Sequence, residues 1–145
     1  MRQMNLKKKI LVTGGAGMIG SNLVKKLVKQ RFEVFVADNL WRGKKEYLLS
    51  ENKKMIIPEK NFFKVDLRNY QSCLKVTKKI DIVIHLADVV AGINYVFSNE
   101  RYLYRSNILI NSNILNASIV NKVRKYIYAG TACSYPKSKQ LKINP

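Results

Sequence analysis

The sequence is poor in cysteine, in histidine and in acid. Two cysteines among 145 residues, Cys73 and Cys133, cannot make a disulfide framework, so reduced thiols are expected. His85 is the single histidine, and no metal site is expected. No run approaches the roughly 18 consecutive apolar residues that a membrane span requires. The basic segment Met1 to Lys9 passes through Ile10 to Val12 straight into glycines, without the apolar core of a secretory signal. The expected location is therefore the cytoplasm, with no membrane partner. Internal repeats and low-complexity blocks are also missing.

Acidic side chains number nine against 27 basic ones, a formal net charge of +18. Such an excess suits a polyanion-binding protein, or a lysine-rich composition whose charges lie on solvated faces. Lys7 to Lys9, Lys25 with Lys26, Lys44 with Lys45, and Lys78 with Lys79 are spread along the chain. Aromatic residues do not interleave with them as in single-strand binders, and nucleic acid is not the expected partner.

A 47% hydrophobic fraction makes the chain globular, and its apolar runs alternate in period. Lys9 to Thr13, Glu33 to Ala37, Phe62 to Val65, Asp81 to Leu86 and Lys125 to Ala129 read as strands. Met18 to Lys29 reads as a helix with a stripe of Ile19, Leu23 and Leu27, flanked by Val24 and Val28. Tyr70 to Lys78 is a shorter helix. Asn99 to Val120 is a long one, with Ile108, Leu109, Ser112 and Leu115 as its stripe. Asp38 to Pro58 reads as loop with a short helix, and the tail from Pro136 has no period. Strands alternating with helices predict an α/β fold, a Rossmann-type doubly wound parallel sheet in the order 3-2-1-4-5. Residues 1–145 are expected to form one nucleotide-binding domain, truncated after the fifth strand and lacking a C-terminal substrate domain.

Four of the seven glycines crowd into one turn, Gly14, Gly15, Gly17 and Gly20. The turn follows a strand and opens a helix. In that setting glycine permits the tight turn, close approach to a pyrophosphate and tight helix–strand packing, while the helix amino terminus supplies free N–H groups. Asp38 closes the second strand 18 residues after Gly20. A carboxylate there accepts the ribose hydroxyls of NAD and repels the 2′-phosphate of NADP. The competing reading gives that phosphate to Arg42, Lys44 and Lys45; NAD is favoured. Asp66, at the end of the third strand, either reaches the adenine or serves as a turn or capping aspartate.

The run Thr13-Gly-Gly-Ala-Gly-Met-Ile-Gly20 resembles the extended short-chain dehydrogenase/reductase superfamily, whose members are mostly nucleotide-sugar epimerases, dehydratases and reductases. Asp38-Asn39, Asp66-Leu67, His85-Leu86-Ala87, Asn107 and Tyr128-Ala-Gly-Thr-Ala-Cys-Ser-Tyr-Pro136 agree with it. The resemblance implies cofactor contacts from Gly14, Gly17, Met18, Ile19, Gly20, Asp38, Asn39, Asp66, Leu67, Leu86, Ala87 and Asn107. Thr131 to Pro136, followed by Lys139-Gln-Leu141, is similar to the GDP-mannose 3,5-epimerase family. That similarity makes Gly92 a substrate-loop residue, Thr131 the hydroxyl on the reacting sugar oxygen and Cys133 an acid/base. It implies a nucleotide-sugar partner and allows a homodimer for the full-length protein. A GDP-L-fucose synthase-like enzyme, another nucleotide-sugar reductase or dehydratase, and a non-catalytic NAD(P)-binding module are the alternatives.

Two residues depart from the superfamily pattern: Gly130 stands where serine is usual and Asp88 where alanine is frequent. The superfamily's Tyr-x-x-x-Lys pair sits on a helix. Tyr135 and Lys139 have the spacing, but Pro136 opposes a helix through them. The pair is expected beyond Pro145, and the 145-residue chain alone is expected to be inactive and to leave an apolar sheet face uncovered. His85, on an apolar strand, is expected to be structural.

Asp38 supplies a first prediction. NAD should bind more tightly than NADP, and Asp38→Ala should narrow that gap by about tenfold, the worth of one charge-assisted hydrogen-bond site. Calorimetric titration with both cofactors reads it, and equal affinity in the unaltered chain contradicts the assignment.

Overall fold

The fold was analysed in a computed structural model that describes residues 7–130. The expectations for Thr131 and Cys133 lie outside the described residues. Five strands alternate with helices: β1 Lys9–Thr13, α1 Met18–Lys29, β2 Glu33–Asp38, β3 Phe62–Lys64, α2 Tyr70–Thr77, β4 Ile82–His85, α3 Ile93–Ser98, α4 Glu100–Val120 and β5 Lys125–Tyr128. Single turns of 3-10 helix occur at Lys45–Leu48 and Glu59–Asn61. The strands form one parallel sheet in the order β3-β2-β1-β4-β5, as the pattern predicts. None of the helices among the described residues is long and apolar enough to cross a membrane.

The unbroken run Ile10-Leu11-Val12 follows from burial of both sheet faces. Ile10 and Val12, with Val34 and Val36, pack beneath Val24 and Leu27 of α1 and against Leu48 and Ile57. Leu11, Ala37 and Val83 point the other way, onto Cys73 and Val76 of α2 and Ile110, Ile114 and Ala117 of α4. Each large side chain buried in this way contributes about 1.5–3 kcal/mol of transfer free energy. Cys73 belongs wholly to the core. Its thiol donates to the Leu67 carbonyl at 3.1 Å, and burial pushes its pKa up to about 12.

Two stripes read from the sequence are corrected. Ile19 does not face the core: it is 70% exposed, and α1 buries Gly20, Ser21, Val24 and Leu27. Met18 and Ile19, in the first turn of α1, belong to neither buried cluster. On α4 the buried side is Leu103, Ser106, Ile110, Ile114, Ala117 and Ser118, while Ile108 and Leu115 are exposed. Polar residues made the true face look hydrophilic. Ser118 satisfies its hydroxyl on the Ile114 carbonyl at 2.7 Å, and asparagines on α4 bond to other segments. Asn113 donates to the Leu67 and Arg68 carbonyls, and Asn121 to Leu74 O and Thr77 Oγ1. The helix expected from Asn99 starts at Glu100 and is preceded by the unanticipated α3, which buries none of its residues.

With glycine spent on one turn, cations close the helices. Arg31 (φ 66°) and Lys122 (φ 55°) take the left-handed position after α1 and α4. The amide that follows each bonds back into the helix, Phe32 N to Leu27 O and Val123 N to Ser118 O. A side chain there costs about 1–2 kcal/mol relative to glycine. Its positive charge at the negative end of a helix returns about 0.3–1 kcal/mol.

The glycine turn itself admits no such exchange. A Cβ on Gly20 would sit 2.2 Å from the Gly14 carbonyl oxygen, a backbone atom, whereas one on Gly92 would meet nothing within 4 Å. Gly20→Ala should therefore lower stability by more than about 2 kcal/mol, roughly 6 °C or more in thermal midpoint. Gly92→Ala should stay within about 0.5 kcal/mol. Thermal denaturation of both variants checks the contrast.

Candidate active site at the carboxyl edge

The carboxyl ends of β1, β2 and β4 meet at the glycine turn. Gly14, at φ +67°, turns the chain out of β1 with its amide on the Ala37 carbonyl at 2.8 Å. A Cβ on Gly14 would lie 2.9 Å from Ala87 N, so only a bare backbone passes between β1 and the end of β4. Gly17 caps α1 in extended conformation and accepts from the Ser21 amide at 2.9 Å. No side chain caps α1, and its first turn holds no acid. The first amides of the helix are thus left to an outside acceptor, and the positive dipole end favours an anion. Met18 and Ile19, 76% and 70% exposed, flank that end. Their exposure costs the core nothing and leaves both free to cover a ligand.

Asp38 is only 8% exposed. Its Oδ2 accepts from the Ala16 amide at 3.0 Å and its Oδ1 from the Leu40 amide at 2.8 Å. The Lys44 amide returns to the Ala16 carbonyl at 3.0 Å, so the loop after β2 is stitched to the glycine turn on both sides of Ala16. Gly43 passes over the carboxylate; a Cβ there would lie 2.9 Å from Oδ1. Asn39 is exposed, and its Oδ1 accepts from the Trp41 amide.

Of the three cations that could have answered a 2′-phosphate, Arg42 and Lys45 have other partners, and the Lys44 side chain is exposed. Arg42 donates to the Val90 carbonyl at 2.7 Å, and Lys45 pairs with Glu59 at 3.0 Å. Trp41 packs on Tyr95 of α3, with ring centroids 6.0 Å apart. The loops after β2 and β4 are thereby joined across the edge, a bridge the sequence did not signal. Only the cation and aromatic in Trp41-Arg42 could have hinted at it.

The remaining expected residues divide. Asp66 is a turn aspartate: it accepts from the Arg68 amide at 2.9 Å and holds the Arg68 guanidinium at 2.5 Å. That hydrogen-bonded guanidinium keeps the Asp66 carboxyl below the ordinary carboxylate range. The helix that follows is capped by Asn69 instead, through its bond from the Ser72 amide. Leu67 is buried in the core. Leu86 and Ala87 lie against the glycine turn, their amides 3.2 Å from Thr13 Oγ1. Asn107 grips the Val89 backbone with both ends of its amide, at 2.7 and 3.2 Å, and so shapes the loop after β4. Gly92 begins α3 and is exposed, away from the glycine turn in sequence and free of close neighbours. Among the described residues, no cluster of side chains could hold a metal ion.

A pyrophosphate fits this cradle. Gly14 and Gly20 have no room for side chains, the helix end is uncapped, and Asp38 stands beside them at the neighbouring strand end. Comparison with known proteins agrees. The chain is 36% identical over 138 residues to GDP-mannose 3,5-epimerase 1 of Oryza sativa subsp. indica, covering 95% of this chain and 34% of that protein. It thus spans about a third of the length of that relative. UDP-glucose 4-epimerase of Thermus thermophilus, solved in complex with NAD, superposes with a TM-score of 0.71 at 33% identity, over 85% of this chain and 37% of that one. The UDP-N-acetylglucosamine 4-epimerase of Methanobrevibacter ruminantium superposes with a TM-score of 0.77 at 28% identity, over 95% and 42%. A family model matches residues 10–145, and with the glycine cradle and the Asp38 carboxylate in place the chain belongs to the NAD dependent epimerase/dehydratase family.

Proposed function

We propose that this chain is the cofactor-binding part of an NAD-using epimerase that acts on a GDP-mannose-like nucleotide sugar. The observation that carries the cofactor choice is the Asp38 carboxylate, fixed by two backbone amides beside the glycine turn while Arg42 and Lys45 are engaged elsewhere. Gly14, Gly17 and Gly20 with the first amides of α1 would take the pyrophosphate, and Met18 and Ile19 would cover it. Asp38, with Asn39 beside it, would take the adenosine ribose. Asp66 and Leu67 would border the adenine, and Leu86, Ala87 and Asn107 the far side of the dinucleotide.

The bound nicotinamide supplies a hydride acceptor that later gives the hydride back. The chain's part in that chemistry rests on the resemblance at Thr131 and Cys133. The Thr131 hydroxyl would bond the sugar oxygen that becomes a carbonyl. A carbonyl acidifies the neighbouring C–H bonds, and the Cys133 thiolate would take such a proton at Sγ, with a second acid returning one to the other face. Gly92 would lie in the loop that meets the sugar. A second domain carrying most of the sugar contacts, and a homodimer, complete the proposal for the full-length protein.

The likeness to UDP-sugar 4-epimerases favours a second reading, inversion at the oxidised carbon itself. Chemistry separates the two. A 4-epimerase returns the same hydride to the same carbon and takes up no solvent hydrogen there. Epimerisation beside the carbonyl exchanges a carbon-bound proton with water.

The full-length protein given GDP-mannose in deuterium oxide should therefore incorporate deuterium into the sugar, read by mass spectrometry. Cys133→Ser should slow that exchange by about 100-fold, the low end for a lost general base, and slow hydride transfer less. Turnover of UDP-glucose without deuterium uptake would establish the second reading instead.

A further inference from the structure

The proposed chemistry gives no part to His85, the chain's single histidine, which is 1% exposed at the end of β4. Its Nδ1 lies 2.6 Å from Thr13 Oγ1, and its Nε2 lies 2.8 Å from Asn111 Oδ1 on α4. The proton positions follow from counting. Thr13 Oγ1 accepts from the Ala87 amide at 3.2 Å and shares the Leu86 amide, also at 3.2 Å, with the Thr13 carbonyl. Nδ1 is the acceptor that the described residues offer the hydroxyl's own hydrogen, so Nδ1 is bare. Nε2 then carries the ring proton and gives it to the Asn111 carbonyl oxygen. With the Asn111 oxygen facing the ring, the neutral Nε2–H tautomer satisfies every partner.

We propose that His85 is a positioning residue for the cofactor cradle: in its neutral Nε2–H form it orients the Thr13 hydroxyl, which holds the Leu86 and Ala87 amides against Gly14. The inference rests on the assignment of that edge to the cofactor. Gly14 and Ala87 are the backbones in closest approach there, so the position of Ala87 sets the width of the cradle on the β4 side. A proton arriving at Nδ1 faces the Thr13 hydroxyl with a second donor. The hydroxyl must turn its own hydrogen away and accept from the ring, which leaves one lone pair for the Ala87 amide and the shared Leu86 amide, and the hold on Ala87 weakens.

The groups around the ring leave the proton no other partner. From β5, Tyr126 and Tyr128 stand with ring centroids 6.0 and 5.9 Å away. Burial pushes the Tyr126 hydroxyl above its ordinary pKa, so it stays neutral in acid. β1 contributes Thr13 and α4 contributes Asn111, neither of them ionisable. Desolvation holds the His85 pKa below its ordinary 6.5. The sign is that of a base depressed by folding. The neutral form prevails above pH 6.5, and the relay is lost as pH falls through the folded-state pKa.

The test is 15N NMR of the full chain labelled at histidine, where one residue gives the only signals and needs no assignment. At neutral pH without cofactor, Nε2 should be protonated and Nδ1 bare. As pH falls, NAD affinity should drop at least tenfold across the interval in which the ring titrates. Asn111→Asp should move both midpoints upward together. Thr13→Val, which keeps the shape and removes the hydroxyl, should weaken NAD about tenfold at pH 7.5, and Thr13→Ser should restore it. The opposite tautomer, an NAD affinity that stays flat through the ring titration, or a Thr13→Val chain that binds NAD like the parent would overturn the proposal. If the unaltered chain binds no NAD at neutral pH, the cofactor assignment fails by itself. The relay is then decided by hydrogen exchange at the Ala87 amide, which should quicken as the ring takes its proton; unchanged exchange refutes it.

Discussion

The bond from the Ala16 amide to the buried carboxylate of Asp38 joins the two crossovers on which the site is built. A charge held at 8% exposure is tolerable only with donors around it, and here backbone supplies them, from the glycine turn and from Leu40. The loop after β2 follows, because Lys44 answers Ala16 from the other side and Gly43 leaves the carboxylate uncrowded. Once that loop is placed, Arg42 reaches Val90 and Trp41 reaches Tyr95. A single carboxylate thus organises the glycine turn, the loop after β2 and, through it, the loop after β4.

The sheet was legible because its signals are local. Continuous apolar runs, glycine punctuation and strand–helix alternation each need only a few neighbouring residues, and together they fix the order β3-β2-β1-β4-β5. The glycine turn was legible for the same reason. The stripe of α4 was not, since apolarity was used as the sign of burial on a helix that buries Ser106 and Ser118 and keeps Ile108 and Leu115 outside. Asn107, Asn111 and Asn113 reach segments far away in sequence, and no period encodes such partners. α3 escaped notice because a helix of six residues that buries nothing has no stripe to read. Asp66 carried two readings into the structure, and its bonds to Arg68 make it a turn residue whatever else borders it.

The fold and the family follow from the sheet order and the family match, and the sugar from the proposed chemistry. The relatives include a GDP-mannose 3,5-epimerase and a UDP-glucose 4-epimerase, and the chain covers about a third of the length of each. In the proposed reading Thr131, Cys133 and Gly92 would meet the sugar, and exchange of a carbon-bound proton with water separates the two proposed reactions.

The left-handed cations after α1 and α4 bear on the history of the composition. At Arg31 and Lys122 the gain from charge at a helix end offsets part of the backbone cost of a side chain, and a net cost of about 1 kcal/mol remains. A cost of that size is small beside the stability of a domain, so drift in base composition can place a cation there. A chain under steady mutational pressure toward lysine codons would collect positive charge at such sites without selection for any anionic partner. Arg31 and Lys122 then mark places where the fold tolerates a cation, and Gly14 and Gly20 places where it tolerates no side chain.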